Sequence, residues 1–536
     1  MNFDVTSYPY PSRRNVMYAK KGMVATSHPL AAQAGLDILK KGGNAIDAAI
    51  AAAACLTVVE PTSNGIGGDA FAIVWVNNKL YGLNSSGPAP KGISIERLKK
   101  DGYDEIPKFG WVPVTVPGIP AAWAELSKKF GRLPLTEVLS PAIEYAENGY
   151  PVSVGCAKLW EKAAVNVYGQ FKNMEEFKYW FKTFAPYGRT LGVGEVWKSK
   201  DHARTLGMIA ETNGEAFYKG EIAERIDRFS RETGGYIRKE DLEGYKPEWV
   251  EPISVNYRGY DVWELPPNGQ GLVALLALNI LRGFEFNSKD TVDTYHKQLE
   301  AIKLAFADGQ KYITDPLKMK VKIEDLLSEE YGERRRKLIG ERAEMPCHGE
   351  PDKGGTVYLA AADGEGNMVS YIQSNYMGFG SGVVIPETGI ALQNRGYNFS
   401  LDPEHDNCLE PGKRTYHTII PGFLTKDNKA VGPFGVMGGF MQPQGHVQVI
   451  MNTIDFKLNP QSALDAPRWQ WIKGKTVEME RGIPQHIAQA LADLGHDIRY
   501  SVGFTQFGRG QIIWRNDDGV LVGGTEPRTD GTLAIW

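Results

Sequence analysis

Three short stretches of the sequence contain residue types that are able to take part in a chemical reaction. Thr356 follows a polar segment that ends in Gly354-Gly355, and it begins the run TVYLAAAD. A threonine hydroxyl becomes a nucleophile when a base removes its proton, and a free α-amine on the same residue can be that base. A threonine at this position is also typical of an ordinary β-strand, because β-branched residues favour strands. The residues alone leave both interpretations open.

The other two stretches are rich in glycine. Gly438-Gly439 ends an apolar run in VGPFGVMGGFMQPQG, where backbone N–H groups can form an oxyanion hole or simply a tight turn. The run GFGSG at 378–382 lacks the glycine spacing and the following helix pattern of a dinucleotide loop. We therefore predict no nucleotide cofactor.

Most familiar catalytic motifs are missing from the sequence. It contains no H-E-x-x-H, no Walker loop and no G-x-S-x-G, and its nine histidines form no cluster with cysteine. A metal-dependent or nucleotide-dependent enzyme is therefore disfavoured, and we predict neither a metal nor a cofactor. The four cysteines lie far apart and form no C-x-x-C pair, which favours a reduced, cytoplasmic protein; they are Cys55, Cys156, Cys347 and Cys408.

The charge balance and the hydropathy exclude two classes of partner. Lys and Arg number 60 against 64 Asp and Glu, and no stretch concentrates like charges, so a nucleic-acid or polybasic membrane surface is not expected. The N-terminus has no apolar region typical of a secretory signal. The Ala-rich run from Ala45 to Val59 is shorter than the roughly 20 residues of a membrane span and contains Asp47, which indicates a buried helix.

The predicted secondary structure that would position these residues changes along the chain. We predict a strand at Gly22 to Ala25, a helix at Pro29 to Lys41, the Ala-rich helix, and an alternating strand in SNGIGGDAFAIVWV. Amphipathic helices follow at Leu135 to Asn148, Lys200 to Thr212, Ile222 to Thr233 and Val292 to Ala307. We expect an extended connection from Arg238 to Pro252 and a strand from Ile253 to Leu265.

The last third of the chain has a different character. The segment 337–355 has little apolar periodicity and ends in two glycines, as an exposed and cleavable linker would. Short alternating runs separated by turn residues follow, and they predict mainly sheet. A helix-rich segment followed by a sheet-rich one predicts an α/β layered sandwich.

Many ordered segments resemble the γ-glutamyltranspeptidase family over nearly the entire chain. They include GMVATSHPLAAQAGLDILKKGGNAIDAAIAAAACLTVVEPTSNGIGGDAFAIVW, PPNGQG, GFGSGVVIPETGIALQN, GKRTYHTIIP, GGFMQPQG and TEPRTDG. The resemblance implies a four-layer αββα sandwich of the N-terminal-nucleophile (Ntn) hydrolases and a precursor that cleaves itself between Gly355 and Thr356. Residues 1–355 would form a large subunit and residues 356–536 a small one, together making one αββα domain.

The resemblance also assigns site residues. Ser374 replaces the threonine that orients the nucleophile, and Gly438 with Gly439 matches the oxyanion-hole pair. His417 and Thr418 replace two serines beside the substrate carboxylate. Tyr376 occupies the position of an asparagine in the family.

Two departures from the family pattern concern charge. Ser85 replaces the arginine that binds the α-carboxylate of a γ-glutamyl substrate, and Asn398 replaces the aspartate that binds its α-amine. Charge-assisted hydrogen bonds contribute about 1.5 to 3 kcal/mol each, so their loss disfavours glutathione as a substrate. The variants IQSNYMGFGSG and KRTYHTIIPGF resemble the branch that includes oxamate amidohydrolase. In that branch Arg395 and His417 would hold a small carboxylate next to the scissile amide.

The sequence therefore predicts a self-cleaving threonine amidohydrolase that acts on a small acidic amide such as oxamate. The alternatives are a γ-glutamyltransferase or glutathione hydrolase, and an inactive binding homologue. The expected partners are a small-molecule amide and the two subunits of one precursor, with a homo-oligomer of these heterodimers as a further option. Neither nucleic acid nor a membrane is expected as a partner.

Overall fold

A computed structural model describes residues 10, 14–346, 355–503 and 505–536. Cys347 and most of the glycine-ending part of the predicted linker therefore lie outside the described residues. The strands are β1 (Met17–Ala19), β2 (Gly22–Thr26), β3 (Asp69–Val76), β4 (Lys79–Ser85), β5 (Tyr150–Pro151), β6 (Val196–Trp197), β7 (Glu248–Val250), β8 (Ile253–Tyr257), β9 (Tyr260–Glu264), β10 (Gly355–Asp363), β11 (Met368–Tyr376), β12 (Gly422–Lys426), β13 (Lys429–Met437), β14 (Trp469–Lys473), β15 (Thr476–Glu480), β16 (Asp497–Ser501), β17 (Arg509–Arg515), β18 (Leu521–Thr525) and β19 (Thr532–Ile535).

The helices are α1 (Pro29–Lys40), α2 (Ala45–Val59), α3 (Ile95–Lys100), α4 (Ile119–Phe130), α5 (Leu135–Val138), α6 (Ser140–Asn148), α7 (Val154–Asn166), α8 (Lys178–Phe184), α9 (Lys200–Glu211), α10 (Glu215–Tyr218), α11 (Glu221–Glu232), α12 (Lys239–Glu243), α13 (Gly271–Leu281), α14 (Val292–Tyr312), α15 (Ile323–Leu327), α16 (Glu329–Arg336), α17 (Met441–Ile454), α18 (Pro460–Asp465) and α19 (Gln485–Asp493).

Two seven-stranded sheets form the centre of the described part of the chain. One sheet, which we call the β10 sheet, has the order β19-β2-β10-β11-β3-β4-β7. The other, the β13 sheet, has the order β1-β18-β17-β13-β12-β9-β8. The sheets pack face to face through a buried apolar layer that includes Phe71, Tyr358 and Phe423. This arrangement supplies the two inner layers of a sandwich.

Helices cover both outer faces of the sandwich. Helices α1 and α2 pack on the β10 sheet, and α13 and α17 pack on the β13 sheet. Every residue of α2 and of α13 is buried, as expected for helices that are apolar on all sides. Asn44 and Asp47 form a capping box that starts α2. The predicted four-layer αββα fold is confirmed.

Some local predictions from the sequence are wrong, and backbone geometry and hydrogen bonding explain why. The predicted strand from Ile253 to Leu265 is a hairpin, because Arg258 and Gly259 adopt positive φ values of 55° and 84° and turn the chain. The expected extended connection before it contains α12 and β7. Helix α12 begins where the Asp241 side chain accepts the backbone N–H of Arg238 at 2.9 Å. Among the described residues, none of the helices combines the length and the apolarity that crossing a bilayer would require.

Candidate active site

Three polar side chains lie together at one edge of the β10 sheet, and a fourth, that of Ser85, lies at the same edge on the opposite face. Thr356 lies at the start of β10 and Ser374 near the end of the adjacent strand β11. Ser374 pairs with Asp69 at the start of β3, and the residue after Asp69 pairs with Ser85 at the end of β4. The antiparallel register therefore brings strand starts and strand ends to the same edge.

Thr356 is held by a hydrogen bond to the neighbouring strand. Its Oγ1 donates to Ser374 Oγ at 3.1 Å, and the same Ser374 oxygen accepts the backbone N–H of Tyr376 at 2.7 Å. The β10–β11 register shifts between Gly355 and Val357, which places Thr356 at a β-bulge. Bulges are frequent beside active sites because they redirect a side chain out of the regular ladder. Thr356 is 1% exposed in this intact chain.

The glycine pair lies between β13 and α17, on the opposite sheet. Gly438 and Gly439 adopt φ values of 141° and 60°, which side-chain-bearing residues rarely tolerate. The Gln270 side chain donates to the carbonyl oxygen of Gly439 at 2.8 Å and to that of Thr418 at 2.6 Å. The turn that carries the candidate oxyanion-hole amides is thus fixed to the loop that carries Thr418.

Arg395 is a buried cation with spare hydrogen-bonding capacity. Its Nη1 donates to Thr418 Oγ1 at 2.6 Å, and its guanidinium carbon lies 4.3 Å from the centre of the Tyr376 ring. Its Nε and Nη2 find no hydrogen-bond partner among the described residues, although the side chain is only 1% exposed. Burial lowers the pKa of Arg395 to about 10 and the nearby Asp69 carboxyl opposes this, so the guanidinium stays charged at neutral pH.

His417 and Asp69 form a buried pair beside this cation. The Nε2 of His417 lies 3.0 Å from Asp69 Oδ2, and the backbone N–H of Ile419 donates to Nδ1 at 3.4 Å. This assigns the ring proton to Nε2. Burial, reinforced by Arg395 and Arg414, lowers the pKa of His417 well below its usual value, whereas burial raises the pKa of Asp69 to about 7. His417 is therefore neutral, and both of its nitrogens have partners in the intact chain.

The two positions that depart from the family pattern are also hydrogen-bonded. Ser85 donates to the carbonyl oxygen of Gly118 at 2.7 Å and lies 3.0 Å from the Tyr245 hydroxyl. Asn398 accepts the Tyr376 hydroxyl at 2.7 Å and donates to a backbone carbonyl at 3.0 Å. Neither residue brings a charge to the site.

Two cavities flank the loop that follows β11. A cavity of about 590 Å³ is lined by Tyr376, Asn398, Tyr416 and Phe440, among others. A second cavity of about 410 Å³ is lined by Gly438, Met377, Phe109 and Arg509, among others. Candidate site residues thus border both cavities, which provide space on two sides for parts of a substrate.

Two residues of this neighbourhood were not singled out from the sequence. Asp69 ends the glycine-rich turn SNGIGGD, and Gln270 is the last residue but one of the segment PPNGQG. Both segments contribute to the family resemblance, but no sequence motif assigns a role to the side chain of Asp69 or Gln270. Their partners, His417 and Gly439, lie far away along the chain, so their roles became visible only in the folded structure.

The αββα sandwich, with a threonine hydroxyl supported at the edge of one inner sheet, defines the class as an Ntn hydrolase. The family model for gamma-glutamyltranspeptidase matches residues 31–536. The chain belongs to this family, which confirms the predicted resemblance and the prediction of an enzyme of the amidohydrolase and acyltransferase type.

Several relatives resemble this chain over almost its whole length. The glutathione hydrolase-like YwrD proenzyme of Bacillus subtilis (strain 168) is 38% identical, with 88% of this chain and 90% of the relative covered. The oxamate amidohydrolase proenzyme of Klebsiella pneumoniae subsp. pneumoniae is 34% identical at the same coverage. The crystal structure of cephalosporin acylase from Bacillus halodurans is 66% identical with a TM-score of 0.96, covering 100% of this chain and 99% of that one.

Proposed function

We propose that this chain is a precursor that cleaves itself between Gly355 and Thr356, and that Thr356 then hydrolyses a small amide bearing a carboxylate. The observation that carries the proposal is the 3.1 Å hydrogen bond from Thr356 Oγ1 to Ser374 Oγ at the β-bulge. Thr356 is also almost fully buried, so its hydroxyl is shielded from solvent. Two of the relatives are themselves named proenzymes.

Cleavage is the first chemical step of this proposal. Thr356 Oγ1 attacks the carbonyl carbon of Gly355, and the acyl group moves from nitrogen to oxygen to form an ester. Water then hydrolyses the ester, which leaves a carboxylate on Gly355 and a free α-amine on Thr356. Glycine before the cleaved bond leaves room for the attack. Residues 1–355 and 356–536 become the large and small subunits.

Turnover reuses the same hydroxyl with the new amine as its base. The α-amine takes the Oγ1 proton while the oxygen attacks the substrate amide, and the N–H groups of Gly438 and Gly439 stabilise the developing oxyanion. The proton passes to the leaving nitrogen when the C–N bond breaks. Water then hydrolyses the acyl ester and restores Thr356. Ser374 keeps the hydroxyl oriented throughout the cycle.

The guanidinium of Arg395 supports a carboxylate on the substrate. It is buried, and its two nitrogens without a partner among the described residues match the two oxygens of a carboxylate. Thr418 and the ring of Tyr376 fix its position, and the pair of His417 and Asp69 lies beside it. Oxamate, whose carboxylate is bonded directly to its amide carbon, fits this requirement. The Klebsiella relative is named for that substrate.

A second candidate is an acyl amide with a bulky amine portion. The cavities of about 590 and 410 Å³ leave far more space than a two-carbon amide needs. The Bacillus halodurans protein is described as a cephalosporin acylase, and an N-acyl cephalosporin is a bulky amide of this kind. A γ-glutamyl substrate is disfavoured, because Ser85 and Asn398 are neutral and already hydrogen-bonded.

The test begins with the purified full-length protein on a denaturing gel. Dividing 59.3 kDa in proportion to residue number predicts two bands of about 39 and 20 kDa. N-terminal sequencing of the smaller band should begin at Thr356. The Thr356→Ala variant should remain one band and be inactive, whereas Thr356→Ser should still cleave.

Substrate choice is tested on the cleaved enzyme. We expect ammonia release from oxamate to exceed turnover of a chromogenic γ-glutamyl anilide, and an N-acyl cephalosporin tests the second candidate. An intact, inactive wild-type chain would instead indicate a binding homologue. A new terminus at another residue, or activity in Thr356→Ala, would contradict the mechanism.

A further inference from the structure

We propose that His296, Glu300 and His496 form a binding site for one divalent transition-metal ion of the Zn²⁺ type. The site lies between α14 and the turn that precedes β16. None of its residues belongs to the proposed catalytic machinery, so this inference is independent of the amide-cleaving function. No sequence motif indicated it, because His296 and His496 lie 200 residues apart.

The ligand atoms have the separations that a single ion requires. One ligand atom from each residue lies within 4.8 Å of the others. His296 Nδ1 is 2.9 Å from His496 Nε2, which is in turn 3.8 Å from Glu300 Oε1. Zinc binds imidazole nitrogen and carboxylate oxygen at roughly 2.0 to 2.2 Å. Three ligand atoms within 4.8 Å of one another can therefore share one tetrahedral ion whose fourth ligand is water. Two imidazoles and one carboxylate favour Zn²⁺, Co²⁺ or Ni²⁺ over Mg²⁺ or Ca²⁺.

Helix α14 and a backbone carbonyl orient two of the three side chains, His296 and Glu300. His296 and Glu300 are four residues apart in α14 and therefore project from the same face of the helix. His296 Nε2 lies 2.9 Å from the carbonyl oxygen of Gly340. That contact places the ring proton on Nε2 and leaves the Nδ1 lone pair directed at the site. A second hydrogen bond of this kind is typical of metal-binding histidines.

A cavity reaches one of the three ligands. A cavity of about 520 Å³ is lined by Asp293, His296, Gly340 and Leu494, among others. The three ligand residues are at most 5% exposed, and His296 is the one of them that lines this cavity. Ligand identity, spacing, orientation and access are the features by which a metal site is judged.

Lys303 competes with a metal ion for the Glu300 carboxylate. Its ammonium pairs with the Glu300 carboxylate, and it also donates to the carbonyl oxygen of Glu344 at 2.7 Å. A bound dication would repel this ammonium, so Lys303 must release Glu300 when the ion enters. Replacing Lys303 by methionine removes the competing charge and keeps most of the side-chain volume. The Lys303→Met variant should therefore bind the metal more tightly than the wild type.

A metal ion at this site would fix the position of residues 340–344, which lie upstream of Thr356. Gly340 contacts His296, and the backbone N–H of Glu344 donates to Glu300 Oε2 at 3.3 Å. The backbone N–H of Ala343, between them, donates to the carbonyl oxygen of Leu494 at 2.9 Å. A metal ion would thus tie residues 340–344 to α14 and to the turn before β16.

The experiment is calorimetric titration of chelator-treated, tag-free full-length protein with Zn²⁺, followed by visible absorption spectra of the Co²⁺ form. We expect one ion per chain, a spectrum typical of four-coordinate Co²⁺, and a higher melting temperature with Zn²⁺. His296→Gln, His496→Gln and Glu300→Gln should each weaken binding by at least about tenfold. His486→Gln, which removes an exposed histidine outside the cluster, should bind like the wild type.

Circular dichroism should be used to check that each variant is folded, and Lys303→Met provides an independent test because it keeps all three ligands. The proposal is overturned if neither the wild type nor Lys303→Met binds Zn²⁺. It is also overturned if Zn²⁺ binding survives in folded His296→Gln, or if it is lost in His486→Gln.

Discussion

Ser374 and Asp69 are paired residues on adjacent strands, so the hydroxyl that supports Thr356 lies beside the carboxyl that contacts His417. Thr356, Ser374 and Asp69 therefore belong to neighbouring strands of one sheet, whereas Arg395 and His417 lie in connecting segments outside its strands. Sites built on strands hold their geometry better than sites built on loops. Substitutions at this edge should consequently affect the reaction more than the fold.

Removing the Ser374 hydroxyl should slow both self-cleavage and turnover. In Ser374→Ala, Thr356 Oγ1 and the backbone N–H of Tyr376 both lose the Ser374 oxygen to which they donate. A nucleophile that is no longer held in position reacts more slowly, and we expect kcat to fall roughly 10- to 100-fold. Ser374→Thr keeps the hydroxyl and should remain within a few-fold of the wild type. Unchanged kcat in Ser374→Ala, measured by ammonia release, would show that this contact does not orient the nucleophile.

Arg395 should determine the preference for acidic substrates. Arg395→Met removes the charge, and the loss of a charge-assisted pair of about 1.5 to 3 kcal/mol should lower kcat/KM for oxamate roughly 10- to 100-fold. Arg395→Lys should recover only part of this, because lysine cannot present two parallel donors. A neutral amide substrate is the control and should be affected little. Equal losses on both substrates would point to a structural role for Arg395.

The backbone conformation at Gly438 should be essential for a high kcat. Gly438→Ala places a side chain at a φ of 141°, with the Cα atom of Gly508 3.1 Å from the new methyl group. The displaced amides should lower kcat by roughly 10²- to 10³-fold, as removing one oxyanion donor does in other hydrolases. Gly412→Ala is the matched control, because Gly412 also has a positive φ of 74° but has open space around it. If both variants lose the same activity, general backbone strain and not the oxyanion hole is responsible.

His202 should make stability depend on pH. Burial lowers the pKa of His202 from 6.5 to about 4, so the unfolded chain binds a proton at this residue more readily than the folded one. Its stabilising contribution is present above pH 6.5 and is lost as the pH falls towards 4, with a magnitude of about 3 kcal/mol. His202→Gln should therefore flatten the dependence of the free energy of unfolding on pH in this window. The exposed His486→Gln variant should keep the wild-type slope in denaturant titrations.

Elements with strong local signals were predictable from the sequence. Helix α2 is apolar on every side and is preceded by Asn44, so its burial and its start both followed from the residues. The hairpin of β8 and β9 was not foreseen, because its turn at Arg258 and Gly259 lacks the usual Asn-Gly or Asp-Gly sequence. Its two strands therefore resembled one continuous strand in the sequence.

The candidate site also contains residues that could be predicted from the sequence and contacts that could not. Thr356, Ser374 and the glycine pair came from the family resemblance, since a single strand-initiating threonine carries little information by itself. The contact between His417 and Asp69 joins residues 348 positions apart. Such contacts depend on sheet register and on the packing of the two sheets, neither of which a local pattern specifies.

Strands from both sides of residue 355 are neighbours within each sheet. In the β10 sheet, β2 lies between β19 and β10, and in the β13 sheet, β1 pairs with β18 and β9 pairs with β12. Cleavage before Thr356 would therefore yield two polypeptides that both contribute strands to both sheets. Separating them would require breaking the hydrogen bonds between strands in both sheets. The fragments should migrate as one particle in native conditions, and neither should persist as a folded body without the other.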